Sequence, residues 1–311
     1  MTIAWGTESN LDDNLFYNRT EDLKFLKDIL DSSQYGSTPT ILLTGMRGVG
    51  KTALMNKIRN DFKNDYLVIY IDLSLSDKYQ KGKFTREAFM ELFFKEFINA
   101  CNEFALITTL DKKIEKYFKT HDIKLINELI PYDNIAVPIP GFKDNYSKLA
   151  SFVMELPQRI YDEYSDVLKG VFIFIDEFQI IKELDEYNNF LWFLRSIVQS
   201  QKNVAYMFSG SMSIKDSLIE DIAGKQGAFG GRMLSVEISP FSYETTKNYL
   251  NERAEFLNFT EDGLKRFYKS TKGIPFYINT FARLMSNDKQ LDEKIVKEEF
   301  IKALPFLSIP A

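Results

Sequence analysis

Apolar residues recur along the chain in two rhythms, short unbroken runs and helical spacings, and the two alternate. In the stretch Asn18 to Leu30, Leu23, Leu26 and Leu30 share one helical face, flanked by Phe25 and Ile29, with Thr20 in a capping position before Glu21 and Asp22. A polar stretch punctuated by Gly and Pro, 32–40, leads into the unbroken run Ile41, Leu42, Leu43, the pattern of a strand buried on both faces. A helix is predicted from Thr52 to Phe62 and a second buried strand from Tyr66 to Leu73. Gly170 to Ile175 reads as a third strand, Glu186 to Gln199 as a helix, Asn203 to Phe208 as a fourth strand and Met233 to Ile238 as a fifth. Pro240 then opens a helical tail running through Ala303.

Strands alternating with helices predict an α/β fold with a central, mostly parallel five-stranded sheet flanked by helices. Residues 1–238 form its expected core and 239–311 a small C-terminal helical subdomain, with the boundary near Ser239. A helix-rich insert is expected at about 78–169, with helical patterns over Arg86 to Leu106, Lys113 to Ile130 and Tyr146 to Leu168, interrupted by a loop over 131–145.

A chain of 311 residues can bury a large core, and 45% hydrophobic with 27% charged residues is ordinary globular usage, which excludes a disordered or fibrous chain. The net charge of -5 argues against a surface that traps DNA as a whole and leaves room only for a local basic patch. One cysteine, Cys101, and one histidine, His121, exclude an internal disulfide and a Cys/His zinc cluster; Cys101 sits in the apolar stretch Phe97 to Leu106 and is expected buried in a helix. No cationic start precedes an apolar run, and no stretch of about 18 apolar residues occurs, so the expected location is cytoplasmic, with no membrane segment.

The strongest chemical pattern is Gly45-Met46-Arg47-Gly48-Val49-Gly50-Lys51-Thr52, a complete G-x-x-x-x-G-K-T placed after a strand and before a helix. Its glycines let backbone N–H groups curl around phosphate oxygens, and the helix N-terminus adds positive potential. Gly45, Arg47, Gly48, Val49, Gly50 and Ala53 are therefore expected at the nucleotide. Lys51 is expected to reach the β- and γ-phosphates, and the Thr52 hydroxyl to ligate Mg²⁺.

A second pattern, Phe172-Ile173-Phe174-Ile175-Asp176-Glu177, delivers two carboxylates at the end of an apolar strand. Alone it reads as a solvated acidic turn; paired with the loop, Asp176 is expected to bind Mg²⁺ and Glu177 to polarise the attacking water. A Glu directly after the metal-binding Asp favours hydrolysis over phosphate transfer to another substrate. At the end of the fourth strand, either Ser209 or Ser211 has the size and polarity to sense the γ-phosphate, and a plain serine turn is the equal alternative. Arg232, after a Gly-rich loop, is either a charge-stabilising arginine for its own or a neighbour's phosphate or a surface arginine.

Together these residues resemble the AAA+ and STAND branch of P-loop ATPases of the ASCE type, most closely the archaeal-type ATPase family, related to origin-recognition ATPases. The resemblance spans nearly the whole chain: Phe16-Tyr17-Asn18-Arg19, GMRGVGKT, IDEFQ, FSGS, Gly230-Gly231-Arg232 and Gly273-Ile274-Pro275. It implies that the box at Tyr17, Asn18 and Arg19 cups adenine, that Gly273 and Pro275 contact nucleotide from a helical lid, and that ATP or ADP with Mg²⁺ is the ligand. Relatives commonly continue into a winged helix, whereas the sequence stops at Ala311, and Pro275-Phe276 stands where ring-forming relatives carry a sensor arginine, with Arg283 further along.

Three functions follow as expectations. In the first, ATP closes the lid, hydrolysis opens it, and a protein partner responds. The second is a DNA-associated loader or initiator, which kinship suggests and charge does not support. The third is an interaction module that holds nucleotide without turnover, which Glu177 argues against.

Overall fold

The computed structural model describes residues 16–104, 106, 125–132, 135–140, 146–211, 217–286 and 288–307. The chain forms two compact units. The first gathers the chain up to Leu23, the segment Gly45–Lys57 and the chain from Glu237 onward; the second comprises Lys24–Thr44 and Ile58–Val236. The glycine-rich loop thus groups with the C-terminal helices.

Among the described residues the strands are β1 (Thr40–Thr44), β2 (Tyr66–Asp72), β3 (Leu125–Tyr132), β4 (Ile135–Pro140), β5 (Gly170–Asp176), β6 (Val204–Ser209) and β7 (Leu234–Glu237). The longer helices are α1 (Thr20–Asp31), α2 (Lys51–Phe62), α3 (Arg86–Glu103), α4 (Tyr146–Glu163), α5 (Tyr187–Ser200) and α6 (Ser217–Ala223). After β7 come α7 (Tyr243–Arg253), α8 (Glu261–Thr271), α9 (Pro275–Leu284) and α10 (Glu293–Leu307).

In the second unit, five strands make a parallel sheet in the order β2-β5-β6-β1-β7, flanked by helices. The unbroken apolar runs of β1, β5 and β6 are buried at every position, as strands covered on both faces must be. Strand β7 at the edge is mostly exposed. Helix α3 packs on β2 and α4, burying Phe89, Phe93, Phe94, Phe97 and Cys101. Cys101 is therefore a packing residue of a helix. No helix among the described residues is long and apolar enough to cross a membrane.

The insert departs from its expected helical character. Leu125 to Tyr132 and Ile135 to Pro140 are an antiparallel hairpin, with Ile130 opposite Val137 and Tyr132 opposite Ile135. This overturns the helix read through Ile130 and the loop read over 131–145. Leu125, Ile126, Leu129 and Ile130 satisfy helical spacing as well as a strand, and the β-branched Ile126, Ile130, Ile135 and Val137 favour the strand once a partner is available. Pro131, Pro138 and Pro140 break a helix but are tolerated in a two-stranded ribbon with open edges. The remainder of that expected helix, 113–124, lies outside the described residues. Helix α4 is also shorter than expected, ending at Glu163 in a turn whose Leu168 N–H bonds the Tyr164 carbonyl.

In the first unit, α7 to α10 surround their own core of Phe241, Leu250, Leu264, Phe267, Ile278, Phe281 and Val296. Phe267 and Phe281 stack at 5.0 Å. Side-chain caps start three of these helices, Ser242 accepting from the Thr245 N–H, Thr260 from the Gly263 N–H and Asp292 from the Ile295 N–H.

Candidate functional site

Within the first unit, the loop Gly45 to Gly50 runs into the N-terminus of α2, whose first turn begins at Lys51. The Lys51 side chain is buried, and its Nζ donates to the Gly45 carbonyl at 2.8 Å and the Met46 carbonyl at 3.1 Å. The ammonium is thereby pinned over the loop, adding its charge to the partial positive charge of the helix terminus. Gly48 has φ of 83°, and a Cβ there would meet Phe276 Cβ at 2.8 Å and Ile274 Cγ2 at 3.2 Å. Only a glycine lets the loop lie against the start of α9, where the Phe276 N–H donates to the Gly48 carbonyl at 3.2 Å.

That start of α9 is itself built on a glycine. Gly273 has φ of 70°, and a Cβ there would lie 2.0 Å from the Phe241 carbonyl oxygen; the Phe241 N–H donates to the Gly273 carbonyl at 2.8 Å. Pro275 follows as the first residue of α9, where its missing N–H costs no helical bond.

Beside the loop lies a cleft wholly within this unit. Phe16, Tyr17 and Arg19 line one side, Val49, Gly50 and Ala53 the loop side, and Phe241, Tyr249, Pro275 and Asn279 the helical side. Tyr17 meets the Tyr249 ring edge-on at 4.9 Å and donates from its hydroxyl to Glu252 at 3.0 Å. Burial and the Glu252 carboxylate push the Tyr17 phenol up to about 12. The Tyr249 hydroxyl donates to the buried Asn279 Oδ1 at 2.7 Å, and burial raises the Tyr249 phenol.

Arg19 binds protein here. Its Nη2 donates to the Val49 carbonyl at 3.0 Å and the Ser239 carbonyl at 2.8 Å, its Nη1 pairs with Asp22 at 3.3 Å, and its guanidinium lies 5.1 Å from the Phe241 ring centre. Burial lowers the pKa of the guanidinium, against the raising effect of Asp22. Asn18 is exposed with φ of 46°, donates to Thr245 Oγ1 at 3.4 Å, and is not among the residues lining the cleft. Arg47 is exposed and Thr52 half-buried on the first turn of α2.

The acid pair belongs to the second unit. β5 runs between β2 and β6, and its last residue, Asp176, is buried, in register with Asp72 of β2. Asp176 Oδ2 accepts from the Tyr70 hydroxyl at 3.0 Å, and Oδ1 from the Glu177 N–H at 2.9 Å. Burial, followed by the Asp176 charge, raises the Tyr70 phenol far above its usual range, which keeps it a donor. Glu177 adopts φ of 53° and ψ of 38°, a left-handed conformation that costs a non-glycine residue about 1–2 kcal/mol. Its Oε2 accepts from Gln179 Nε2, and Gln179 Oε1 accepts from the Ser211 N–H at 3.1 Å.

At the end of β6, the Ser209 hydroxyl is fully buried and has no hydrogen-bond partner among the described residues. Arg232 is exposed; with the Gln199 amide turned oxygen-first, that oxygen accepts from Arg195 Nε and Arg232 Nη1, each at 3.1 Å.

Tyr17, Arg19, Val49, Gly50, Ala53 and Pro275 are thus brought to one cleft. Asp176, Glu177, Ser209 and Ser211 lie at the ends of neighbouring strands of the sheet unit. Phe241, Tyr249, Asn279, Tyr70 and Gln179 join these two clusters without belonging to any residue role inferred from the sequence. Only Gln179 carried a signal, as the last letter of IDEFQ.

Residues 16–281 match a family described as an ATPase domain predominantly from Archaea. No curated protein is matched by the sequence. Among solved structures, the fold is similar to the Walker-type ATPase PABY2304 of Pyrococcus abyssi, with 18% identity and a TM-score of 0.61 over 97% of this chain and 76% of that one. Weaker likenesses are to the Aeropyrum pernix ORC1 protein in complex with DNA, at 12% identity and TM-score 0.48 over 92% and 65% of the two chains. A third is to the Thermotoga maritima RuvB Holliday junction branch migration motor, at 12% and 0.45 over 95% and 72%.

Proposed function

The chain belongs to the family of ATPase domains found predominantly in Archaea, and on that premise we propose that it binds ATP in the cleft of its first unit and hydrolyses it with Mg²⁺. The C-terminal helices act as the lid that reports which nucleotide is bound. One observation carries this reading: a single cleft inside one compact unit is lined by the segment 16–19, by the glycine loop with the first turn of α2, and by α7 and α9.

The residues suit the ligand. Tyr17, Phe241, Tyr249 and Pro275 offer aromatic and apolar walls to a planar base, with Asn279 and the Tyr249 hydroxyl as polar groups at its edge. Loop amides and Lys51 take the phosphates. Thr52 in the first unit and Asp176 in the second each offer a hard oxygen donor of the kind Mg²⁺ takes, an ion that keeps waters and binds through one or two protein groups plus phosphate. When bound, the ion neutralises charge on the β- and γ-phosphate oxygens.

Glu177 is the group that orients and polarises the attacking water, and Ser209 or Ser211, at and just past the end of β6, contacts phosphate or water. Phe276, bonded through its N–H to the Gly48 carbonyl, ties the lid to the conformation of the loop. A change of nucleotide that moves Gly48 therefore moves α9.

The test is phosphate release and fluorescent ATP-analogue binding for wild type, Lys51→Ala and Glu177→Gln. Lys51→Ala loses binding, while Glu177→Gln keeps binding and loses turnover by about 100-fold or more. Binding without turnover in the wild type would reduce the protein to a nucleotide-holding module, and equal turnover in all three would remove the assignment.

A further inference from the structure

We infer that Gln179 is a positioning residue that sets the orientation of the Glu177 carboxylate and couples it to the end of β6. The inference rests on the ATPase reading above for the role of Glu177, and on hydrogen bonds inside the sheet unit for everything else.

Glu177 cannot orient itself. It follows the last residue of β5, its backbone has left the strand for the left-handed region, and a Glu side chain has three rotatable bonds. Its only side-chain partner among the described residues is Gln179 Nε2, which donates to Oε2; Oε1 has no partner among them. A carboxylate that polarises water needs one oxygen fixed and one presented. Gln179 grips the first and leaves the second.

Gln179 is in turn held from a different strand. Its Oε1 accepts from the Ser211 N–H at 3.1 Å, just past the end of β6. An amide side chain carries a donor and an acceptor at a fixed separation, so a displacement of the Ser211 backbone is passed to Glu177 as a displacement of its carboxylate. The short segment Phe178 to Glu183 keeps Gln179 beside Glu177, with the Ile180 N–H bonded to the Glu177 carbonyl at 3.0 Å and with Phe178, Ile180 and Ile181 buried. The end of β6, where Ser209 lies, is therefore wired to the water-polarising group through one side chain.

The two halves of the bridge separate by substitution. Gln179→Met keeps the length and removes both bonds. Gln179→Glu keeps an acceptor for Ser211 and sets a carboxylate against that of Glu177. Four quantities are read for each: kcat and KM for ATP, affinity for a fluorescent ATP analogue, and hydrogen exchange of the Ser211 amide in nucleotide-free protein. Misplacement of a catalytic group by about 1 Å costs up to ~100-fold, so both variants are expected to lose about 10- to 100-fold in kcat, with KM and analogue affinity within about twofold of wild type. Ser211 exchange accelerates in Gln179→Met and stays protected in Gln179→Glu. The inference is overturned if wild type hydrolyses ATP and Glu177→Gln does not, yet Gln179→Met turns over at the wild-type rate. It is equally overturned if Ser211 exchange is unchanged in Gln179→Met. A wild type without turnover, or a Glu177→Gln variant as active as wild type, condemns the ATPase reading instead.

Discussion

Replacing Arg19 by Met tests whether the segment 16–19 holds the glycine loop in place. The guanidinium donates to the Val49 and Ser239 carbonyls at 3.0 and 2.8 Å, and its side chain is 10% exposed. Each bond from a charged donor contributes about 1.5–3 kcal/mol. The Ser239 bond is exposed and the Val49 bond part-buried, so water replaces the first on substitution and the second is lost. Burying the cation carries a desolvation cost, visible in its lowered pKa, and that cost is recovered in the variant. Met keeps an apolar side chain of similar length but loses the guanidinium over the Phe241 ring. The balance is a loss of about 2 kcal/mol of stability in the first unit. Because Val49 lies in the loop, analogue affinity falls about tenfold, or 1.4 kcal/mol. Urea unfolding followed by circular dichroism and a fluorescent-nucleotide titration read the two effects. A variant with the wild-type midpoint and wild-type affinity would show that Arg19 does not brace the loop, and the account of this segment would be wrong.

Tyr70→Phe removes the donor to a buried carboxylate, so a loss of about 1–3 kcal/mol on urea unfolding is expected, with half-maximal turnover moved to higher Mg²⁺; unchanged Mg²⁺ dependence would separate Tyr70 from the metal. Gly273→Ala drives a Cβ into the Phe241 carbonyl at a positive φ, and a cost above about 3 kcal/mol should appear as protease sensitivity of the C-terminal helices. The Tyr17 phenol, raised from 10.0 to about 12, supplies stability that is complete below pH 10 and is lost as pH rises through about 12. Tyr17→Phe should therefore flatten the fall in stability across that window, and an identical slope in both proteins would show that the phenol ionises as freely folded as unfolded.

Much of the fold is legible in the sequence because parallel strands covered on both faces are unbroken apolar runs. β1, β2, β5 and β6 announce themselves this way, and Gly45 to Thr52 is legible because one short segment carries its whole geometry. The hairpin β3–β4 is not, since Leu125, Ile126, Leu129 and Ile130 fit two periods and only pairing with β4 selects between them. The site divides in the same manner. The residues of the loop and the acid pair are contiguous, whereas Phe241, just before α7, and Tyr249 and Asn279, within α7 and α9, are ordinary letters that acquire a role only where these segments face the loop. Tyr70 is likewise one more aromatic in a strand until register with β5 sets it near Asp176. Within the segment 16–19 the members divide the work: Tyr17 lines the cleft, while Arg19 both lines it and ties the loop down.

The central claim is that nucleotide sits in the cleft bounded by Tyr17, Val49, Tyr249 and Pro275. A structure of the protein with Mg²⁺ and a non-hydrolysable ATP analogue tests it most directly. The account predicts the base against the Tyr17 and Tyr249 rings and the phosphates on the amides of Gly48 to Thr52. An analogue bound elsewhere, with that cleft closed around its own side chains, would contradict it.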